Sequence, residues 1–128
     1  MNLEVQLPAL VTLLAVALVF YMSARVSLAR IRRGIDAPAM FGHSDLDRAF
    51  RIHQNTVENM VIFLPLLWLA SILYSGVIAP GIGVIWLFGR VIYMFGYTVD
   101  PANRRVGALI GILCNVALFG LACWGLAA

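Results

Sequence analysis

The sequence predicts an all-α integral membrane protein: one domain, residues 1–128, built as a bundle of four transmembrane helices. Hydrophobic residues make up 62% of its 128 residues and charged residues 12%, and the mean hydropathy is +0.94. A soluble domain of this size could not bury so much apolar surface. Four apolar runs each approach the ~20 residues that span about 30 Å of hydrocarbon as a helix. Their lack of period-2 alternation argues against a transmembrane barrel.

The arginines indicate how the bundle sits in the membrane. All nine basic residues are arginine, and together with the acidic residues they give a formal net charge of +3. Most of them cluster in or beside two connections between helices, which fits the positive-inside bias better than a nucleic-acid surface. We therefore expect these connections on the cytoplasmic side of an inner (cytoplasmic) membrane, with both termini outside. Membrane lipids are expected as partners, and nucleic acid is not.

The first helix is predicted at about residues 5–33 and the second at 44–74. The first ends in a row of arginines: Arg25, Arg30, Arg32 and Arg33. A loop with glycine and proline follows, and Ser44 with Asp47 three residues later resembles a capping box that starts the second helix. Pro65 removes one backbone hydrogen bond inside the second helix and is expected to kink it, as transmembrane helices tolerate.

The third helix is predicted at 81–98, after an uncharged loop of breaker residues. Asp100 followed by Pro101 is typical of an N-cap and a first helical position, so the fourth helix is predicted at 101–126. Gly107 and Gly111 form a G-x-x-x-G pattern, which allows close helix approach within one chain or between copies. We expect the three tryptophans to lie at the membrane interface or to face lipid, namely Trp68, Trp86 and Trp124.

A polar stripe opens the second helix. At 100° per residue, Arg51, Asn55 and Glu58 share one face, whereas His53 points the opposite way. Glu58 follows Arg51 by seven residues and therefore lies roughly 10 Å deeper. A charged side chain at that depth costs about 2.5 kcal/mol or more unless it faces a partner or a polar cavity. Three polar groups on one face favour a binding site over a structural charge pair between helices.

A second polar stripe lies toward the same end of the third helix. Arg90, Tyr93 and Tyr97 are spaced i, i+3 and i+7 and fall within about 60° of one another. Arg104 and Arg105 follow in the first turn of the fourth helix, as topology anchors or as cations that hold an anion. The two stripes together predict a ligand with several anionic groups and an ammonium, such as a small acidic peptide.

The chain lacks the spacings of several common catalytic sites. It shows no Ser/His/Asp or Cys/His constellation, so a protein nucleophile is not indicated and the nucleophile would come with the ligand. Its two histidines and two cysteines lack metal-ligand spacing, so no metal is expected.

At these residues the chain resembles a known family, the membrane-associated proteins in eicosanoid and glutathione metabolism (MAPEG), specifically members of the bacterial microsomal glutathione transferase type. The resemblance covers essentially the whole chain and consists of four helices, a long first loop and two motifs. The motifs are Arg51-x-His53-x-Asn55-x-x-Glu58 before Phe63-Leu64-Pro65-Leu66, and Gly89-Arg90-x-x-Tyr93-x-x-x-Tyr97. The resemblance implies a homotrimer that holds glutathione between neighbouring subunits, open to the cytoplasmic side.

The resemblance also implies roles for individual residues. The glutathione site of one subunit would contain Arg51, Asn55, Glu58, Tyr93 and Tyr97. Arg30 and His53 would reach that site from the neighbouring subunit. Arg104 would stabilise the glutathione thiolate, although branch-dependent spacing leaves Arg105 as an alternative, and Arg90 is a further binding candidate. Asn59 departs from the leukotriene synthase branch, which has a tyrosine at this position.

The implied function is that of a membrane-bound glutathione transferase. It would activate its co-substrate glutathione as a thiolate and conjugate it to lipophilic electrophiles from the bilayer, as in detoxification, with glutathione peroxidase activity as a further expectation. One alternative is a non-enzymatic family member that binds lipid or glutathione. Another is a small four-helix drug/proton antiporter. Such transporters place their essential glutamate in the first helix, whereas the only glutamate of the first helix in this chain is Glu4, at its N-terminal end.

Overall fold

The computed structural model describes residues 2–128 and contains four long helices. They are α1 (Leu3–Arg33), α2 (Ser44–Leu73), α3 (Ile78–Val99) and α4 (Arg104–Ala127). Each of the four is long and apolar enough to cross a membrane. The predicted fold class, an all-α bundle of four transmembrane helices, is therefore confirmed.

The helices alternate in direction, which brings their basic termini together. Arg25 near the end of α1 and Arg48 near the start of α2 both donate hydrogen bonds to Thr98 at the end of α3. At the opposite end, Gly76 between α2 and α3 lies against the backbone of Glu4 in α1. We call the first end, where the chain passes from α1 to α2 and from α3 to α4, the arginine-rich end.

Two helix termini at the arginine-rich end depend on local backbone chemistry. Helix α1 ends at Gly34, whose φ of 64° is left-handed and suits glycine, and the Gly34 N–H donates to the Arg30 carbonyl. Helix α2 begins at Ser44, but the capping residue is His43, whose Nδ1 accepts from the Asp45 N–H at 3.1 Å. The predicted capping box at Ser44 is therefore wrong by one residue.

Helix α3 is longer than predicted, and α4 begins later. Helix α3 starts at Ile78 instead of 81, because Pro80 occupies the first turn, where no backbone N–H is needed. Asp100 does act as an N-cap and accepts from the Ala102 N–H at 2.9 Å. It caps a single 3-10 turn, Pro101–Asn103, and the α-helix proper begins at Arg104.

An aromatic pair occupies the centre of the bundle. The rings of Phe63 on α2 and Trp86 on α3 stack with centroids 3.9 Å apart and planes within 2°, and both side chains are fully buried. The interfacial or lipid-facing position expected for Trp86 is therefore wrong, because its indole fills the core. Trp68 is half-buried and donates to the Thr12 hydroxyl at 3.1 Å, whereas Trp124 is exposed as expected.

Helices α3 and α4 approach each other closely at a pair of glycines. A Cβ at Gly107 would lie 2.5 Å from the backbone nitrogen of Tyr93 and 2.6 Å from the Gly89 carbonyl oxygen. Gly111, the second glycine of the G-x-x-x-G pattern, faces Arg90 and Trp86 of the same chain. Of the two predicted uses of the pattern, the structure shows packing within one chain.

We expect Gly107→Ala to destabilise the protein by about 1–3 kcal/mol or more, because the clash is with backbone atoms that cannot rotate away. The matched control is Gly120→Ala on the same helix, where an added Cβ meets nothing within 4 Å. Thermal unfolding in detergent would measure both variants. Equal melting temperatures for the two would contradict the close approach.

Candidate functional site

A buried arginine stands at the centre of the two predicted polar stripes. Arg90 on α3 is only 1% exposed, and its Nη2 donates to Asn55 Oδ1 and Thr56 Oγ1 on α2, each at 2.8 Å. Its guanidinium carbon lies 4.1 Å from the centroid of the Tyr93 ring. A guanidinium so enclosed can position Asn55 and Tyr93, but it presents little surface to a ligand.

Aromatic and cationic side chains continue from Arg90 toward the arginine-rich end. The rings of Tyr93 and Tyr97 lie 5.7 Å apart, and the guanidinium carbon of Arg104 lies 5.8 Å from the Tyr97 ring. Arg104 is exposed and is the first residue of α4. We call the series Asn55, Arg90, Tyr93, Tyr97 and Arg104 the polar column.

A cavity of about 300 Å³ lies beside the outer end of the polar column. Arg51 and Tyr97 both line it, with Phe41 from the first loop and Asp47 and Arg48 from the start of α2 among its other walls. The guanidinium carbon of Arg51 lies 5.7 Å from the Phe41 ring. The cavity therefore combines two arginines, one carboxylate, a phenol and apolar walls in a volume suited to part of a small ligand with anionic groups.

Glu58, His53 and Arg30 are predicted site residues that form none of the contacts of the polar column. Glu58 is exposed on the surface of the bundle and accepts a 3.5 Å hydrogen bond from Gln54 Nε2. His53 is half-buried on α2. Arg30 donates to the Ala39 carbonyl and so holds the first loop of the same chain.

The structure separates the two arginines at the start of α4. Arg104 points toward Tyr97, whereas Arg105 borders an apolar groove of about 710 Å³ between α3 and α4, with Ile92 and Phe95 in its walls. Of the two alternatives predicted for the thiolate-stabilising arginine, the geometry favours Arg104.

Sequence reasoning missed a second polar network deeper in the bundle. Asn59 Oδ1 accepts from the Trp86 indole N–H at 2.9 Å and from Asn115 Nδ2 at 3.1 Å. This network joins α2, α3 and α4 one turn below Asn55. The signal available was the amide of Asn115, the one strongly polar side chain of α4 after Arg105, since an isolated polar group inside a membrane span needs a partner.

Fold and site together define a class of protein: a four-helix membrane bundle with a cationic and phenolic site at one end. Residues 8–124 match the MAPEG family. The chain is 38% identical over 115 residues to a protein described as uncharacterised from Synechocystis sp., with 90% of this chain and 84% of the relative covered. The chain belongs to the MAPEG family, which confirms the family named from the two motifs.

Two named relatives cover similar shares of the chain. The chain is 32% identical to microsomal glutathione S-transferase 2 of Homo sapiens over 115 residues, which are 88% of this chain and 78% of the relative. It is 34% identical to leukotriene C4 synthase of Bos taurus over 125 residues, which are 98% of this chain and 83% of the relative.

Proposed function

We propose that this protein is a glutathione-dependent membrane enzyme, specifically a glutathione transferase that acts on lipophilic electrophiles. The observation that carries the proposal is the polar column, in which Tyr97 lines the cavity of Arg51 and also lies 5.8 Å from the Arg104 guanidinium carbon. The names of two relatives, microsomal glutathione S-transferase 2 and leukotriene C4 synthase, support the same chemistry. Peroxidase activity is proposed as a secondary reaction of the same thiolate.

The residue types fit the functional groups of glutathione, which carries two carboxylates, one ammonium and one thiol. Arg51 would bind a carboxylate, because a guanidinium offers two parallel donors to one. Asn55, held by Arg90, and the hydroxyls of Tyr93 and Tyr97 would bind the peptide groups. Glu58 would bind the ammonium, which gives its exposed carboxylate a cationic partner.

The exposure of Glu58 supports a site between subunits. A carboxylate on the surface of a membrane span is costly unless it faces a ligand or another protein surface. We propose that a neighbouring subunit of a homotrimer covers Glu58 and contributes Arg30 and His53. The arginine-rich end would face the cytoplasm, with both termini outside, so that a water-soluble peptide can enter while the electrophile arrives from the bilayer.

The proposed reaction begins with loss of the thiol proton to water. The thiolate sulfur then donates an electron pair to an electrophilic carbon, forms a carbon–sulfur bond and expels the leaving group with its bonding pair. A cysteine-type thiol has a pKa of about 8.5, so only a few per cent is thiolate at pH 7. Arg104, at the start of α4, would hold the sulfur anion and raise that fraction.

The deciding experiment is conjugation of glutathione to 1-chloro-2,4-dinitrobenzene by the purified protein in detergent, with glutathione binding measured by calorimetry. Binding together with turnover is the expected result. Binding without turnover over a broad panel of electrophiles would favour a non-enzymatic family member. The absence of both binding and turnover would overturn the proposal.

We expect Glu58→Gln to raise the KM for glutathione about tenfold, which corresponds to about 1.4 kcal/mol of lost attraction to the ammonium. The value of kcat should change little, because Glu58 would contact the ammonium and not the reacting sulfur. The matched control is Glu4→Gln, which removes the same charge from the start of α1 at the other end of the bundle. An unchanged KM in Glu58→Gln would remove this residue from the site.

A further inference from the structure

Three arginines line a second cavity at the arginine-rich end. The cavity has a volume of about 240 Å³ and lies between α1, α2 and the end of α3. Its charged and polar walls are Arg25, Arg32, Asp45, Arg48 and Thr98. Arg48 also borders the cavity of Arg51 and Tyr97 and so separates the two spaces. None of these five residues belongs to the proposed glutathione set.

The positive charge of this cavity is not neutralised by its own walls. Asp45, its one acidic residue, is ion-paired with Arg33, which lies outside the cavity. Within residues 2–128, Arg25, Arg32 and Arg48 form no ion pair. Three guanidinium groups therefore share a small space with one carboxylate that is already engaged, which favours entry of an anion.

Neutral oxygens hold two of the guanidinium groups in place. Arg48 Nη1 donates to the Thr98 and Val99 carbonyls at 3.0 and 3.3 Å. Arg25 Nη2 donates to the Thr98 hydroxyl at 2.8 Å, and that hydroxyl donates in turn to the Met94 carbonyl at 2.7 Å. The two arginines are thus oriented before any ligand arrives, which lowers the entropy lost on binding.

One nitrogen of this set has no partner. Arg25 Nη1 is buried and forms no hydrogen bond within the described part of the chain. A buried guanidinium N–H without an acceptor is unfavourable, and an anionic oxygen in the cavity would satisfy it.

We propose that this cavity binds a phosphate group. Guanidinium groups suit phosphate because their planar donors match two of its oxygens at once. The phosphate could belong to the headgroup of an anionic phospholipid or to a small phosphate in solution. The lipid source fits the surroundings: Leu28 lines the cavity and is 44% exposed, and neighbouring Ile31 is 78% exposed, so an acyl chain could lie along α1.

This inference does not rest on the proposed enzyme activity, and its test does not measure activity. The purified protein in neutral detergent would be unfolded thermally with phosphatidylglycerol or with phosphatidylcholine of the same acyl chains. A separate arm without lipid would compare inorganic phosphate with chloride at equal ionic strength. We expect phosphatidylglycerol to raise the melting temperature by about 4 °C more than phosphatidylcholine.

Arginine variants test where the added stability arises. Arg25→Gln and Arg32→Gln should each lose at least half of the increment, whereas the control Arg105→Gln, which removes the same charge outside this cavity, should keep it. If Arg25→Gln does not fold, Arg32→Gln decides, because Arg32 is exposed and its replacement leaves the core intact.

The lipid measurement and the inorganic phosphate measurement together show where the bound phosphate group comes from. An increment with phosphatidylglycerol alone assigns the site to a lipid headgroup, and an increment with inorganic phosphate assigns it to a soluble phosphate. An equal increment in the parent and both cavity variants, or an equal loss in Arg105→Gln, would overturn the site. No increment from either additive would overturn it as well.

Discussion

Arg104→Ala is expected to lower kcat/KM for glutathione conjugation about 100-fold. Lowering a thiol pKa by two units needs roughly 2.7 kcal/mol of preferential thiolate stabilisation, and kcat/KM falls by a factor of about 100 when that stabilisation is absent from the transition state. Arg104 is the arginine placed to supply it, because it starts α4 and stands 5.8 Å from Tyr97. The electrophile and detergent would be kept constant between variants.

The pH dependence gives this prediction a second readout. In the parent, kcat at saturating glutathione should stop rising with pH near neutrality, because the thiol of bound glutathione is already ionised. In Arg104→Ala, the rate should keep rising toward the ordinary thiol pKa of about 8.5. The thiolate absorbance of the glutathione complex in the ultraviolet should fall in parallel.

Arg105→Ala is the matched control for this variant. It removes the same charge one residue away, but Arg105 borders the outer groove beside Phe95 and does not face Tyr97. Its kcat/KM should stay within about threefold of the parent. Equal rates for Arg104→Ala and the parent would remove Arg104 from the mechanism, and a loss confined to Arg105→Ala would reverse the assignment.

Arg90→Ala is expected to have the largest effect on stability, about 3–5 kcal/mol. The change opens a large cavity and removes both hydrogen bonds that join α3 to Asn55 and Thr56. A loss of this size should lower the melting temperature in detergent by roughly 10 °C or more. Arg33→Ala, at an exposed ion pair, should change stability by only about 0–1 kcal/mol.

Arg90→Lys separates the positioning role of Arg90 from its structural one. Lysine keeps the charge but lacks the planar fork that serves two acceptors at once and stacks on Tyr93. At a temperature where this variant remains folded, the KM for glutathione should rise, because Asn55 and Tyr93 lose their orientation. A variant that is less stable but keeps the parent KM would restrict Arg90 to a structural role.

Most of the fold could be predicted from the sequence. The apolar runs are long enough to demand four membrane helices, and turn chemistry such as Asp100-Pro101 placed most of their ends to within a few residues. The start of α3 was predicted three residues late because one residue type fits two kinds of local structure. Pro80 is a breaker signal in the sequence, but proline is equally suited to the first turn of a helix, which is where Pro80 lies.

The candidate site was only partly predictable. The stripes on α2 and α3 follow from helical periodicity, yet periodicity alone does not show that Arg90 is enclosed while Arg51 is exposed. The Asn59, Trp86 and Asn115 network was missed because its three members lie on three different helices. The homotrimer, the inner-membrane location and the neighbouring-subunit roles of Arg30 and His53 stay predictions.

The four membrane helices, the gathering of most basic residues at one end and the family could all be read from the amino-acid sequence. Three features required the packed chain: the core position of Trp86, the contact of Gly107 with α3 of the same chain, and the direction of Arg104 rather than Arg105 toward Tyr97. The physical reason is that spacing along one helix fixes the angles between its own side chains. The rotation of that helix against its neighbours is set by packing among residues far apart in sequence.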